Sequence, residues 1–114
     1  MNIYSCERGE TMKRNMLNPT EERLSVMSAF FKALSDETRL KILLTLMESG
    51  KCVMHISERV GMSQSAVSHQ LSILRRADLV KVSRNGKNQV YSLADEHVRL
   101  MVVMALMHVD EKFS

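Results

Sequence analysis

At 114 residues the chain is the size of one domain, large enough for a hydrophobic core but small for a protein that binds two ligands unaided, so a symmetric dimer is expected. Sixteen Lys and Arg against 13 Asp and Glu leave a formal charge of +3 and a pI near 9.1, a mild basic bias compatible with nucleic acid. The longest apolar run, LMVVMALM, is too short to span a bilayer, and no export signal opens the chain; this excludes a membrane protein and points to the cytoplasm, where Cys6 and Cys52 stay reduced.

Residues 1–17 are polar, lack periodicity and read as a flexible N-terminal arm, which leaves residues 18–114 as the domain. Asn18 and Pro19 predict an N-cap and a first helical residue, with Glu21 and Glu22 favouring the helix dipole. Leu24, Met27, Phe31 and Leu34 then recur at helical spacing, predicting a helix to about residue 34 whose apolar stripe needs a partner. Ser35 and Asp36 break that helix and cap the next, ETRLKILLTLMES, expected to end at Gly50 and to bury Leu40, Leu43, Leu44 and Met47. A third helix over residues 53–60 stops at Gly61, and Ser63 caps a fourth, QSAVSHQLSILRRA. Two helices joined by a short glycine-containing turn form a helix-turn-helix signature.

The segment LVKVSRNGKNQVYSL follows, rich in β-formers at both ends. Asn85-Gly86 marks its hairpin turn, with positive φ expected at both residues. A closing helix is predicted from about residue 95 to 111. The fold class is therefore mainly α with a small β-hairpin: a winged helix-turn-helix with an extra helix at each flank.

On the fourth helix Ala66, Val67, Leu71 and Leu74 are expected to pack inward, while Gln64, Ser65, Ser68 and His69 point out near its start. Short hydroxyl and amide side chains at that end suit base edges in a major groove. Arg75 and Arg76 at the other end, with Lys81, Arg84 and Lys87 on the ribbon, suit phosphates. His69 reads equally as a DNA contact or as a histidine bonded to the backbone. Each feature alone fits an ordinary solvated helix; together with the short preceding helix and the basic ribbon they point to double-stranded DNA.

The blocks ALSDETRLKIL, SQSAVSHQL and ADLVKVSRNGKNQVYSL in this order resemble the ArsR/SmtB family of metal-responsive bacterial repressors, over about residues 20–112. The resemblance implies a homodimer, formed here through the N- and C-terminal helices, that represses an operator until an inducer arrives and is not an enzyme.

On the closing helix His97, Met101, Met104, His108 and Glu111 fall at intervals of four, three, four and three, the seam spacing of a helix packed on another helix. His97 and His108 share a face, but eleven residues of rise separate them by roughly 16 Å, whereas nitrogens on one zinc each lie about 2 Å from it. An antiparallel partner helix sets Asp95 and His97 of one subunit beside His108 and Glu111 of the other, giving two symmetric two-His, two-carboxylate sites. The bland alternative is an amphipathic dimer helix with ordinary polar ends. The resemblance favours the metal: the spacing D-x-H, ten residues, H-x-x-E is similar to the closing-helix zinc site of zinc-sensing members, and Asp95, His97, His108 and Glu111 each fall on a ligand position, with Asp110 the rival to Glu111. A thiolate-free nitrogen and oxygen set favours Zn(II) as effector, with Co(II) or another divalent transition metal as substitute.

Cys52 and His55, three residues apart, face one way at the start of the third helix, and Cys6 is available from the arm as a further ligand of a second metal site. Family members often carry C-V-C here, whereas this chain has CVMH, with Met54 in place of the second thiolate. The alternative function is a repressor of the same family sensing thiol oxidation or softer metals through Cys6 and Cys52. A metallohydrolase lacks support, since no HExxH or nucleophile motif is present, and no small organic substrate is expected. A helix-turn-helix adaptor that binds only proteins is the remaining rival.

Overall fold

The computed structural model describes residues 17–114, which run α1 (Glu21–Leu34), α2 (Glu37–Thr45), α3 (Val53–Val60), α4 (Gln64–Arg76), β1 (Val80–Asn85), β2 (Asn88–Leu93) and α5 (Glu96–Asp110). The expected arm up to residue 16, Cys6 included, lies outside the described residues. No described helix is long and apolar enough to cross a membrane.

Four helices start on a short polar side chain that accepts a hydrogen bond from a backbone N–H three residues on. The acceptors are Thr20 Oγ1 (3.2 Å), Asp36 Oδ2 (3.0 Å), Ser63 Oγ (3.1 Å) and Asp95 Oδ1 (3.1 Å). This corrects the first helix, because Thr20 and not Asn18 is its N-cap, and Pro19 precedes the cap. At the helix-turn-helix junction Gly61 adopts φ +73° and donates its N–H to Ser57 O at 2.9 Å, ending α3 as expected.

The second helix ends at Thr45, earlier than expected. Thr45 Oγ1 donates to Lys41 O at 2.9 Å, and Met47 N turns back to Leu44 O at 3.2 Å, tightening the chain out of the helix. Gly50 consequently serves the sheet and not the helix. Lys51 and Tyr91 exchange both backbone hydrogen bonds (2.8 and 2.9 Å), and a Cβ on Gly50 would stand 2.7 Å from Val90 Cγ1 and 3.0 Å from Tyr91 O.

The buried face of α2 is also rotated from expectation. Ile42, Leu43 and Leu46 enter the core, while Leu40 and Leu44 remain 37% and 40% exposed. Ile56 of α3, Val67, Leu71 and Leu74 of α4, Leu79 and Val80 at the ribbon start, Leu93, and Val98 of α5 complete that core. Each such side chain contributes roughly 1.5–3 kcal/mol by leaving water.

The wing is antiparallel, pairing Val80 with Leu93, Val82 with Tyr91 and Asn85 with Asn88. Its two-residue loop is therefore Gly86-Lys87, one residue later than the Asn-Gly reading, and only Gly86 has positive φ, at +68°. Glycine at the first loop position meets the need of a type II′ turn, whereas Asn85 remains in the ladder.

The flanking helices contribute little to the core. α1 buries only Ala33, leaving Leu24, Met27 and Phe31 half-exposed. Between α1, α2 and α5 lies an apolar groove of about 750 Å³, lined by Phe31, Leu34, Leu40, Leu44, Met101 and Met104 among others.

Candidate nucleic-acid interface and metal centre

The α4 helix presents two faces, as its spacing requires. Val67, Leu71 and Leu74 are buried, and Ala66 is half-buried; Gln64, Ser65, Ser68 and His69 are exposed together on the opposite side. Arg75 and Arg76 continue that outer face at the last turn. A recess of about 440 Å³ lies between this face and the wing, lined by Ser68, Ser72, Arg75, Arg76 and Tyr91. Ser72 and Tyr91 escaped the sequence reading: the serine continues the outer face by one more turn, and the tyrosine reaches the helix only through the strand register.

The wing residues divide. Arg84 shares strand parity with Val82, the partner of Tyr91, and Lys87 sits in the loop. Lys81 pairs with Ser92 and lines a different recess with Asp95, Glu96 and Arg99 at the start of α5. Arg75 and Arg76 thus lie on the outer face of α4, Arg84 shares its strand face with the residue paired to Tyr91, and Lys81 lies beside the closing helix.

At the start of α5, Asp95 Oδ1 lies 3.6 Å from His97 Nδ1, with side-chain exposures of 56% and 90%. His108 and Glu111 are both exposed at the far end, His108 in the last turn and Glu111 as C-cap. Among the described residues no three His, Cys, Asp or Glu side chains come close enough to hold one ion. Of the four expected ligands, Asp95 and His97 are neighbours at the start of α5, while His108 and Glu111 stand at its far end, so one chain does not gather all four. Asp110 is equally exposed beside Glu111, so exposure does not separate the two carboxylates. Cys52 is the half-buried N-cap residue of α3 and makes no side-chain capping bond, and His55 is exposed within the next turn.

Two arginines complete helix ends from a distance. Arg99 Nη1 donates to Met47 O just beyond α2, and its Nε stands 3.4 Å from Glu96 Oε1. Arg39 Nε donates to Ala33 O at the end of α1 at 2.7 Å. Both supply a cation and a donor where a helix leaves carbonyls unpaired.

The family model described as bacterial regulatory protein, arsR family, matches residues 36–82, which run from the cap of α2 into β1. The cadmium resistance transcriptional regulatory protein CadC homolog of Staphylococcus aureus is 40% identical over 82 residues, covering 71% of this chain and 68% of that protein. The chain belongs to the ArsR family of bacterial regulatory proteins. Another member of similar sequence is the transcriptional repressor SmtB homolog of Synechocystis sp., 44% identical over 85 residues; the match spans 75% of this chain and 64% of that protein's length. A solved ArsR-type structure is similar in fold: the homodimeric winged helix-turn-helix DNA-binding domain of a possible ArsR-family regulator from Mycobacterium bovis, with TM-score 0.78 and 27% identity, covering 85% of this chain and 93% of that one. These ArsR-type relatives are transcriptional regulators and not enzymes.

Proposed function

We propose that this chain is a dimeric, cytoplasmic, metal-responsive transcriptional repressor that binds operator DNA in its apo state and is released by Zn(II). α4 reads base edges through Gln64, Ser65, Ser68 and His69; Arg75, Arg76, Arg84 and Lys87 meet phosphates. The dimer covers the apolar faces of α1 and α5, whose exposure in one protomer would be costly in water.

The observation that carries the metal reading is the split of the ligand set. Asp95 with His97, and His108 with Glu111, stand at opposite ends of one helix, and the residues between include the exposed Leu100, Met104 and Met107. An antiparallel partner helix on that seam brings each pair to the complementary pair. Two imidazoles and two carboxylates suit Zn(II), and Co(II) is a fitting substitute. Asp95 uses Oδ1 for its cap, and among the described residues Oδ2 makes no hydrogen bond, so the cap and a metal bond are compatible.

A bound cation supplies positive charge, which by itself strengthens DNA binding. Release therefore acts through shape, by holding the closing helices in a dimer form whose reading helices no longer match half-sites about 34 Å apart. Linkage then requires operator DNA to weaken zinc binding by the same factor.

The test is operator affinity with and without zinc, for the parent and for His97→Ala. Zinc lowers the parent's affinity and leaves that of His97→Ala unchanged. An unresponsive parent, or a variant that responds normally, contradicts the reading; release by oxidation that ignores His97→Ala supports the thiol alternative through Cys6 and Cys52.

A further inference from the structure

Arg39 makes a three-way connection that the function above does not use. Its Nε donates to Ala33 O at 2.7 Å and Nη2 to Lys32 O at 3.4 Å, both at the end of α1, while Nη1 donates to Gln70 Oε1 of α4 at 3.1 Å. Among the described residues this is the only side-chain to side-chain hydrogen bond that joins two helices. Its own position is fixed from the other side, because Arg39 N donates to the Asp36 cap and α2 is anchored in the core by Ile42, Leu43 and Leu46.

Three physical points give this contact its meaning. A guanidinium is planar and only donates, so it sets the Gln70 amide with its oxygen toward Arg39 and holds that side chain in one orientation. Hydrogen bonds with one ionised partner are about twice as strong as neutral ones, and these are partly shielded from water. Finally, α1 places only Ala33 fully in the core, with Phe30 and Leu34 partly buried against it, so the Arg39 bonds add a directional tie to limited apolar packing.

We propose that Arg39 is a positioning residue for DNA reading: it locks α4, through Gln70, to the carbonyl end of α1. Gln70 directly follows the exposed Ser68 and His69, so the lock acts on the orientation of the reading residues without touching DNA. This rests on α4 being the operator-reading helix and extends that reading with a residue outside the interface.

The experiment uses the full chain as parent, Arg39→Lys, Gln70→Met and the double variant. Each is titrated with a duplex from the promoter upstream of its own gene and with a scrambled duplex of equal length and salt; thermal unfolding is recorded alongside. Arg39→Lys keeps the charge but not the fork, and Gln70→Met keeps the side-chain length and leaves both α1 carbonyl bonds of Arg39 intact. Each single variant is expected to lower the promoter-to-scrambled affinity ratio on the order of tenfold, with scrambled binding unchanged and the double variant no worse than the worse single one. Ratios within twofold of the parent overturn the proposal, as does a double variant whose loss is the product of the two. So does a loss in Gln70→Met alone, which would make Gln70 a direct DNA contact. A parent that does not prefer the promoter duplex overturns the operator-reading role of α4 itself, and the lock with it.

Discussion

Asp95 Oδ1 stands 3.6 Å from His97 Nδ1 while accepting a hydrogen bond from Val98 N at 3.1 Å, so one carboxylate both starts α5 and flanks the imidazole. The two roles are separable by substitution. Asp95→Ser keeps a good N-cap and is expected to hold stability within about 0.5 kcal/mol, whereas Asp95→Ala loses about 1 kcal/mol. On the proposed zinc site both remove a direct ligand, and both are expected to weaken zinc at least on the order of tenfold, the lower end of what even outer-shell changes cost. Urea unfolding and zinc titration against a competing chelator measure the two effects independently.

The proposed interface assigns bases to the start of α4 and phosphates to its end. Gln64→Ala is expected to cost about 1–3 kcal/mol on the operator and little on a scrambled duplex. Arg76→Ala is expected to weaken both duplexes alike and to reduce the slope of log affinity against log salt by about 1. Fluorescence anisotropy over a salt series resolves the pair.

Gly50→Ala places a methyl group against Val90 Cγ1 and the Tyr91 carbonyl, both within 3.0 Å of its position. Overpacking of this kind costs about 1–3 kcal/mol. The expected signature is local as well as global: amide exchange at Lys51 and Tyr91 accelerates, because their mutual pairing is what the close approach allows.

Asp78 occupies φ +60° directly after α4, where Leu79 N returns to Leu74 O at 2.9 Å and Asp78 N to Arg75 O at 3.0 Å. This is a Schellman ending with an aspartate in the position glycine favours. Asp78→Gly is expected to raise stability by up to about 1 kcal/mol and Asp78→Val to lower it, as read by the midpoint of urea unfolding.

Legibility followed the range of the interaction. The end of α3 and the start of α4 were readable because Gly61 and Ser63 carry their own local chemistry, the apolar face of α4 followed from spacing, and the cap of α2 from Asp36. The end of α2 was not, since no basic residue stands in its last turn and the donor for Met47 O arrives on Arg99, from α5. Asp78 gave no signal because the left-handed ending lacked its usual glycine. The hairpin loop was displaced by one residue because Asn85-Gly86 is a strong local pattern, while the register is set by Val80, Val82, Tyr91 and Leu93 across the sheet. For the metal centre, residue types and spacing left two half-sites level with ordinary polar helix ends, and the family resemblance favoured the half-sites; the Arg39–Gln70 bond joins residues no periodicity connects.

The most direct test of the proposed intersubunit site is complementation between His97→Ala and His108→Ala. Each homodimer loses a ligand from both of its sites. In a heterodimer purified through two different tags, one site loses both histidines and the other keeps all four ligands. The account predicts that neither homodimer binds zinc tightly and that the heterodimer recovers one tight site. A heterodimer without that site, or a homodimer that retains tight binding, contradicts it.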